Sequence, residues 1–289
     1  MAAPAGKRGA STWGSLLAEG VRRLPGPEYA TFEAEELLAR ATGRPRSWFH
    51  ARRGEAAPAE EAAAYRALVS RRTAGEPLQY LLGEWEFLDR TFRVDPRALI
   101  PRGETEGIVE AARSAAPAAR RLLDLGTGSG ILAVTLALER PGATVVAIDR
   151  SPGALGLARE NAVRHGVADR IFLLGSDWLK AIRPAARFDL AVANPPYVPL
   201  VDAPHVSRTV SEHEPGIALW GGEDGLDPVR TLLRDLPPFL IRGALFLFEF
   251  GYGQARDVSE LVEASGDFRL VAVRLDAAGI PRTATAMRT

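Results

Sequence analysis

The chain has 289 residues, 46% of them hydrophobic and 25% charged, with 36 Lys+Arg set against 36 Asp+Glu. That composition is ordinary for a globular protein and disfavours disordered, collagen-like and membrane classes. The zero formal charge removes the global basic footprint of a protein living on nucleic acid, and the absence of cysteine excludes disulfides, thiolate metal sites and a cysteine nucleophile. His50, His165, His205 and His213 show no metal-ligand spacing, no apolar run approaches the roughly 18 residues of a membrane span, and the opening lacks a signal-peptide apolar stretch. The expectation is a cytoplasmic protein that needs neither a metal nor a membrane.

In chain order, the Ala-rich first ten residues read as a disordered tail, and short amphipathic helices follow. Trp13, Leu16, Leu17, Val21 and Leu24 recur at helical spacing, as do Phe32, Leu37, Leu38 and Ala41 before a terminating Gly43. A third helix is expected from Pro58 to Arg72, with Leu68 and Val69 inward and Gly75 as its stop. Together these predict a small helical domain over residues 1–83. At Glu84 the period changes: Trp85 and Phe87 alternate with Glu84 and Glu86, Asp89-Arg90 turns the chain, and Thr91 to Val94 returns it, which predicts a hairpin linker over 84–104.

After a helix over Thr105 to Ala115, strand and helix patterns alternate over 105–289, which predicts an α/β domain with a mostly parallel Rossmann-like sheet covered on both faces. The predicted strands are Arg121–Leu125, Thr144–Asp149, Arg170–Leu174, Phe188–Ala193, Ala244–Phe250 and Phe268–Leu275. The predicted helices are Ile131–Glu139, Pro152–His165, Asp227–Leu240 and Gln254–Ala264. A last strand, Thr283–Arg288, follows no helix and is expected to run antiparallel beside its predecessor.

The chemistry begins where a buried strand ends in Gly126-Thr127-Gly128-Ser129-Gly130 and a helix opens, so that bare backbone and exposed amides face a ligand at the carboxyl edge of the sheet. Counted from Gly128 and ending at Ala133, the run also satisfies a relaxed dinucleotide fingerprint, which keeps a nicotinamide enzyme in play. Asp149 ends the next strand and is placed to accept from two ribose hydroxyls, its alternative being the N-cap of the helix at Ser151-Pro152. Asp177 offers an acceptor for an adenine amine, and Trp178 an indole for its ring face, although Trp178 equally suits a core aromatic.

Asn194-Pro195-Pro196-Tyr197 follows the fourth strand, where an open sheet of this kind reverses strand order. Two prolines fix φ and withhold amide donors, so the loop presents carbonyl oxygens and the Asn side chain to one point. A planar amide or aromatic amine is a poor nucleophile because its lone pair is delocalised. Acceptors gripping both N–H bonds, the Asn194 side-chain oxygen and the Pro195 carbonyl, favour localisation of that pair, and Tyr197 stacks on the planar group. With the nitrogen in line behind a sulfonium methyl, catalysis is mostly positioning, for which roughly 7–11 kcal/mol is available.

With these residues in hand, the chain resembles class I S-adenosylmethionine-dependent methyltransferases that modify amide or amino nitrogens. More closely, it is similar to the bacterial peptide chain release factor N(5)-glutamine methyltransferases, the PrmC/HemK family. The likeness spans the helical domain, Gly75 to Gly83, Glu86-Phe87, Leu99 to Arg102, Thr105-Glu106, the glycine loop, Ser176-Asp177-Trp178, the Asn-Pro-Pro-Tyr run, Glu214-Pro215 and Ala218-Leu219. The resemblance implies cofactor contacts by Gly126 to Gly130, Asp149, Trp178 and Asn194, and glutamine binding by Asn194, Pro195, Pro196 and Tyr197. It implies S-adenosylmethionine as cofactor, S-adenosylhomocysteine as product, and the Gly-Gly-Gln loop of class I release factors as partner, with the amino-terminal helices helping to hold it. A monomer with no direct need for nucleic acid is expected.

Two positions depart from the family pattern: Gly103, where Pro commonly follows the Arg and whose flexibility bears on how Arg102 and Glu106 close the site, and His213, where Phe often precedes Glu-Pro. Arg40, Arg44, Arg46, Arg52 and Arg53 either meet a negatively charged partner or form a solvated basic face. The strongest rival is an adenine-N(6) methyltransferase acting on DNA or RNA, which must flip its base and grip phosphates. The first 95 residues, with 14 Lys+Arg and 13 Asp+Glu, are about neutral and favour the protein substrate. A nucleotide-binding scaffold without activity is disfavoured by the intact glycine loop, Asp149 and tetrapeptide, and a dehydrogenase by the lack of a hydride-transfer acid/base pair.

Overall fold

The computed structural model describes residues 11–183 and 187–289. The opening expected to be a disordered tail lies outside the described residues. The chain forms two compact units, Met1–Gly83 and Glu84–Thr289, so the hairpin belongs to the second unit.

The first unit holds α1 (Trp13–Arg23), α2 (Ala30–Thr42), α3 (Arg46–His50), α4 (Ala59–Thr73) and α5 (Leu78–Leu82). Thr12 and Ser15 cap α1 reciprocally: the Thr12 hydroxyl accepts from Ser15 N (3.2 Å) and the Ser15 hydroxyl from Thr12 N (2.9 Å), so two orphan amides are satisfied. Trp13, Leu16, Leu37, Leu38, Phe49, Tyr65 and Val69 form the core. The five-residue helices α3 and α5 escape prediction because a single turn carries no periodicity. Phe32, expected inward, is 40% exposed and lies under the Arg46 guanidinium, 5.3 Å from the ring centroid.

The arginine-rich stretch is largely engaged within this unit. Arg44 pairs with Glu61 and lies over the rings of Trp13 (5.7 Å) and Trp48 (4.8 Å), Arg52 lies over Trp48 (4.7 Å), and Arg46 pairs with Glu36 at 3.1 Å. Buried Gly20 in α1 makes room for Tyr65 of α4, since a Cβ there would lie 1.8 Å from the Tyr65 hydroxyl oxygen. Gly20→Ala is therefore expected to destabilise by roughly 1–3 kcal/mol through overpacking, although Ala is the better helix former by about 1 kcal/mol. Urea unfolding followed by circular dichroism measures the sign.

The second unit opens with β1 (Glu84–Phe87) and β2 (Arg90–Arg93), joined through Leu88 and Asp89 at φ 47° and 58°. Both central residues being left-handed suits the twist of a two-residue hairpin, here without glycine. Phe87 and Phe92 are buried against Ile108, Ala112 and Leu132 in the main core, and the Phe92 ring lies 4.7 Å from that of His165. Asn161 pins β2: its Oδ1 accepts from Arg93 N (2.8 Å), while its Nδ2 donates to the Arg93 carbonyl (3.0 Å) and to the Ser129 carbonyl of the glycine loop (2.8 Å). The hairpin, expected as a linker, is packed into the second unit.

A 3-10 turn at Gly103–Thr105 leads to α6 (Glu106–Ala115), followed by β3 (Arg121–Leu125), α7 (Ile131–Glu139), β4 (Thr144–Asp149), α8 (Pro152–Arg164), β5 (Ile171–Gly175) and β6 (Phe188–Ala193). Then come α9 (Arg208–His213), α10 (Asp227–Asp235), β7 (Leu240–Glu249), α11 (Ala255–Ala264), β8 (Phe268–Leu275) and β9 (Pro281–Arg288). The seven-stranded sheet runs β5-β4-β3-β6-β7-β9-β8; β9 inserts between β7 and β8, antiparallel to both, and the adjacent pairs from β5 to β7 are parallel. Alternate residues supply opposite cores: Leu122, Val145, Leu190, Val192 and Leu247 on one face, Leu123, Leu125, Ala191, Phe246 and Phe248 on the other.

Helix α10 stops at Asp235 rather than Leu240, because Pro237 and Pro238 cannot donate and the chain tightens into a 3-10 turn over Pro237–Phe239 before entering β7. The 3-10 segment Leu200–His205 and α9 went unpredicted; neither contains a buried residue, so no apolar stripe marked them. Among the described residues no helix is long and apolar enough to cross a membrane.

Candidate active site

The chain leaves β3 towards β4 and β5 on one side and later returns to β6 and β7 on the other, so a crevice opens between the carboxyl ends of β3 and β6. The pocket there is lined by Gly126, Thr127, Gly128 and Ser129 after β3, Asp149 at the end of β4, Asp177 and Trp178 after β5, and Asn194 and Pro196 after β6. The rest of the wall comes from Arg97 to Arg102, Thr105, Ile131, Leu132, Ile148, Arg150, Ser151, Ala154, Ser176, Pro215, Ile217, Ala218, Trp220 and Pro228.

Three of the residues singled out from sequence are not in this lining. Gly130 at φ 82° packs against α8, where a Cβ would lie 3.0 Å from Ala158 Cα, so it serves the close helix contact. Pro195 is buried, and Tyr197 turns its hydroxyl inward. Asp177 lines the pocket but its carboxylate is paired with Lys180 at the exposed rim. Trp178 packs against the core and faces the pocket at once, with backbone φ 51°, a conformation rare for a large side chain and therefore held by its surroundings.

The glycine loop differs from the expectation of exposed amides. Gly126 N and Thr127 N both donate to the Ile148 carbonyl (2.9 and 2.8 Å), Gly128 N to Asp149 Oδ2 (2.9 Å) and Gly130 N to the Thr127 carbonyl (2.8 Å). Among the described residues only Ser129 keeps a loop amide without an acceptor. Asp124 of β3 occupies the N-terminus of α7, its Oδ2 accepting from Thr127 Oγ1 (2.6 Å) and Ala133 N (3.1 Å), so the position favourable to an anion is filled by the protein itself. A dinucleotide pyrophosphate would find few donors here.

Asp149 is not the N-cap of α8. Ser151 is, through its side chain to Ala154 N (3.2 Å), while Asp149 Oδ1 accepts from Ser151 N (2.8 Å). Asp149 thus ties the glycine loop to the start of α8 and keeps lone pairs towards the pocket.

A hydrogen-bonded chain that sequence reasoning missed stands behind Asn194. Asn194 Nδ2 donates to Thr105 Oγ1 (2.9 Å), Thr105 Oγ1 donates to Glu249 Oε2 (2.7 Å), and the Tyr197 hydroxyl donates to Glu249 Oε1 (2.9 Å). Burial pushes the Tyr197 phenol up, with the Glu249 charge adding to it. On the opposite wall Glu214 is buried, accepts from Ile100 N (3.0 Å) and pairs with Arg102, so the segment over the pocket is tied to the loop before Ile217. Gly103 does not prevent this contact, and Glu106 instead accepts from Leu88 N of the hairpin (3.3 Å).

A family model described as "PrmC N-terminal domain" matches residues 15–83, and one described as "Methyltransferase small domain" matches residues 106–209. The chain is 44% identical over 241 residues to the release factor glutamine methyltransferase of Geobacter sulfurreducens, covering 83% of this chain and 84% of that protein. It is 42% identical over 276 residues to the release factor glutamine methyltransferase of Moorella thermoacetica, covering 94% and 97%.

The chain belongs to the release factor glutamine methyltransferase family.

Among solved structures, a ribosomal protein L11 methylase from Lactobacillus delbrueckii subsp. bulgaricus superposes with a TM-score of 0.51 at 20% identity, over 71% of this chain and 89% of that one, a likeness of fold. As a methyltransferase of this family, the protein is an S-adenosylmethionine-dependent enzyme.

Under its glycine loop, Asp124 is wholly buried and its carboxyl is pushed up to about 7, first by desolvation. Its protonated form is therefore favoured by the fold, and stability present at acid pH is lost as pH rises from the ordinary carboxyl range through about 7. Asp124→Asn is expected to lose less stability than the parent across that interval, which denaturant titrations at several pH values without cofactor would measure. Parallel curves would remove Asp124 as the titrating group.

Proposed function

We propose that this protein transfers the methyl group of S-adenosylmethionine to the side-chain amide nitrogen of the glutamine in the Gly-Gly-Gln loop of class I peptide chain release factors. The observation that carries the reading is the state of Asn194: its Nδ2 is taken by Thr105, which leaves Oδ1 as a bare acceptor at the pocket wall. Among the described residues no donor reaches the Pro195 carbonyl. Two acceptors on one lip are the complement of a carboxamide NH2, which has two donors.

The lining fits the cofactor by chemistry. A sulfonium nucleoside carries no phosphate, and the loop amides are already satisfied. Asp149 has lone pairs for the ribose hydroxyls, Trp178 an aromatic face, and Ile148, Leu99 and Ile100 an apolar wall. Gly126, without a Cβ, keeps the wall beside Trp178 open; a Cβ there would lie 3.7 Å from the ring. When bound, the cofactor supplies an electrophilic methyl on sulfur.

The chain's own residues do the rest. Asn194 Oδ1 and the Pro195 carbonyl accept the two amide hydrogens and aim the nitrogen lone pair, and Pro196 fixes the lip. With the cofactor bound, the nitrogen so aimed would take the methyl, and the electron pair of the S–CH3 bond would stay on sulfur as a neutral thioether. The nitrogen then sheds one proton to solvent, its acidity having risen with the transfer, so no strong base is required beforehand. Tyr197, anchored by its hydroxyl, offers its ring rather than a proton. The reading includes cytoplasmic action as a monomer, without metal or nucleic acid.

The test incubates the purified protein with methyl-labelled S-adenosylmethionine and, separately, a release factor, its Gly-Gly-Gln→Gly-Gly-Ala variant and duplex DNA. Label confined to the intact loop supports the reading; label on DNA, or equal label on both release factors, overturns it. Asn194→Ala should keep the fold and lower turnover roughly 10²–10³-fold, by analogy with the loss of one preorganised polar group. Asp149→Ala should chiefly weaken cofactor binding, as read by calorimetry, and unaltered affinity would leave Asp149 as a loop tie alone.

A further inference from the structure

Glu249 ends β7 with no solvent exposure, and the methyl transfer above makes no use of it. A carboxylate without water must find donors. It finds two, and both belong to residues at the substrate lip: the Tyr197 hydroxyl on Oε1 and the Thr105 hydroxyl on Oε2. The consequence is directional. An ionised carboxylate only accepts, so Thr105 must spend its one proton on Glu249 and can only accept from its other neighbour. That neighbour is Asn194, which therefore has to present Nδ2 to Thr105 and Oδ1 to the pocket. An asparagine left to itself can rotate by half a turn and would then offer donors to a group that is itself a donor.

We propose that Glu249 is a positioning residue that, through Thr105, dictates which end of the Asn194 amide faces the substrate and, through the Tyr197 hydroxyl, fixes the ring beside it. The pocket is thereby selective for a doubly donating carboxamide or amine nitrogen over an accepting group. This rests on the amide-methylating reading given above and adds the source of its polarity.

The charged and titratable groups around Glu249 come from three directions: Glu104 beside Thr105, Tyr197 after β6 and Arg282 on β9. Burial, the largest influence, raises the Glu249 carboxyl above its usual range, and the two hydrogen bonds oppose it. Once protonated, Glu249 can donate, and the direction of the chain is no longer imposed. Turnover should therefore fall as pH falls through this raised value.

The experiment compares wild type, Glu249→Gln, Thr105→Val and Thr105→Ser in release factor methylation, with cofactor affinity by calorimetry and unfolding measured alongside. By analogy with carboxylates that orient a ligating group, Glu249→Gln and Thr105→Val should each lower kcat about 10–100-fold, with KM for the release factor and cofactor affinity within about twofold of wild type. Thr105→Ser, which keeps the relay hydroxyl, should recover to within about threefold of wild type, and the acid limb of kcat should be absent from Glu249→Gln. A stability role alone would lower the unfolding midpoint and leave kcat of the folded enzyme intact. Wild-type kcat in both Glu249→Gln and Thr105→Val, or Thr105→Ser as slow as Thr105→Val, overturns the inference. Should Glu249→Gln not fold, the Thr105 pair decides. A wild type that leaves the release factor unlabelled overturns the functional reading and this inference with it, whereas an active wild type with unimpaired variants overturns this inference alone.

Discussion

Three carboxylates at the upper edge of this sheet gather donors from the segments around them, and that edge is organised by those contacts. Asp124 in β3 and Glu249 at the end of β7, both buried, and the half-buried Asp149 at the end of β4 each accept two hydrogen bonds from neighbouring turns and helix starts, Asp124 through Oδ2 alone. Each draws a different piece of chain into place: Asp124 the glycine loop and the first turn of α7, Asp149 the same loop and the start of α8, Glu249 the lip after β6 and the turn before α6. A buried acceptor left unmatched costs roughly 1–3 kcal/mol or more for a charge, so these loops have little freedom to be elsewhere. The pocket is the space that remains between them.

The same edge explains why the glycine loop suits a phosphate-free ligand. In sheets that hold dinucleotides, the open N-terminus of the first helix and free loop amides receive a pyrophosphate. Here Asp124 fills the helix terminus, and the Ile148 carbonyl takes two of the amides. Glycine spacing alone is common to both arrangements; the distinction lies in which groups the loop has already satisfied.

The pocket has a second wall of a different kind. Arg102 and Ile100 N converge on buried Glu214, joining a segment that precedes the sheet to one that lies between β6 and α10. Asn161 does similar work one layer out, joining the hairpin to the glycine loop through three hydrogen bonds. Both residues are far in sequence from what they join, so the pairing itself is not written locally, even where the Glu214-Pro215 dipeptide is. The role of Thr105, too, comes from lying between Asn194 and Glu249, whatever the Thr105-Glu106 pair signals by itself.

What was legible from sequence follows from what is local. Apolar runs set the strands Arg121–Leu125, Thr144–Asp149 and Phe188–Ala193 at their observed ends, because burial of a central strand on both faces is written in consecutive residues, and the edge strand Phe268–Leu275 was legible from its β-branched and apolar run. The Gly126 to Ser129 loop, Asp149, Trp178 and Asn194 were picked out because rigid turns and helix starts demand particular residue types at short spacing, and the fold brings them around one pocket. Short elements such as α3 and α9 were not legible, since one turn has no period. Only the tertiary structure decided that β9 threads between β7 and β8, that the hairpin packs into the second unit, that Gly130 meets a helix instead of the pocket, and that Glu249 reaches Asn194 through Thr105. Each of those depends on contacts between segments distant along the chain, and a residue's neighbours in space are set by the packing of the whole unit.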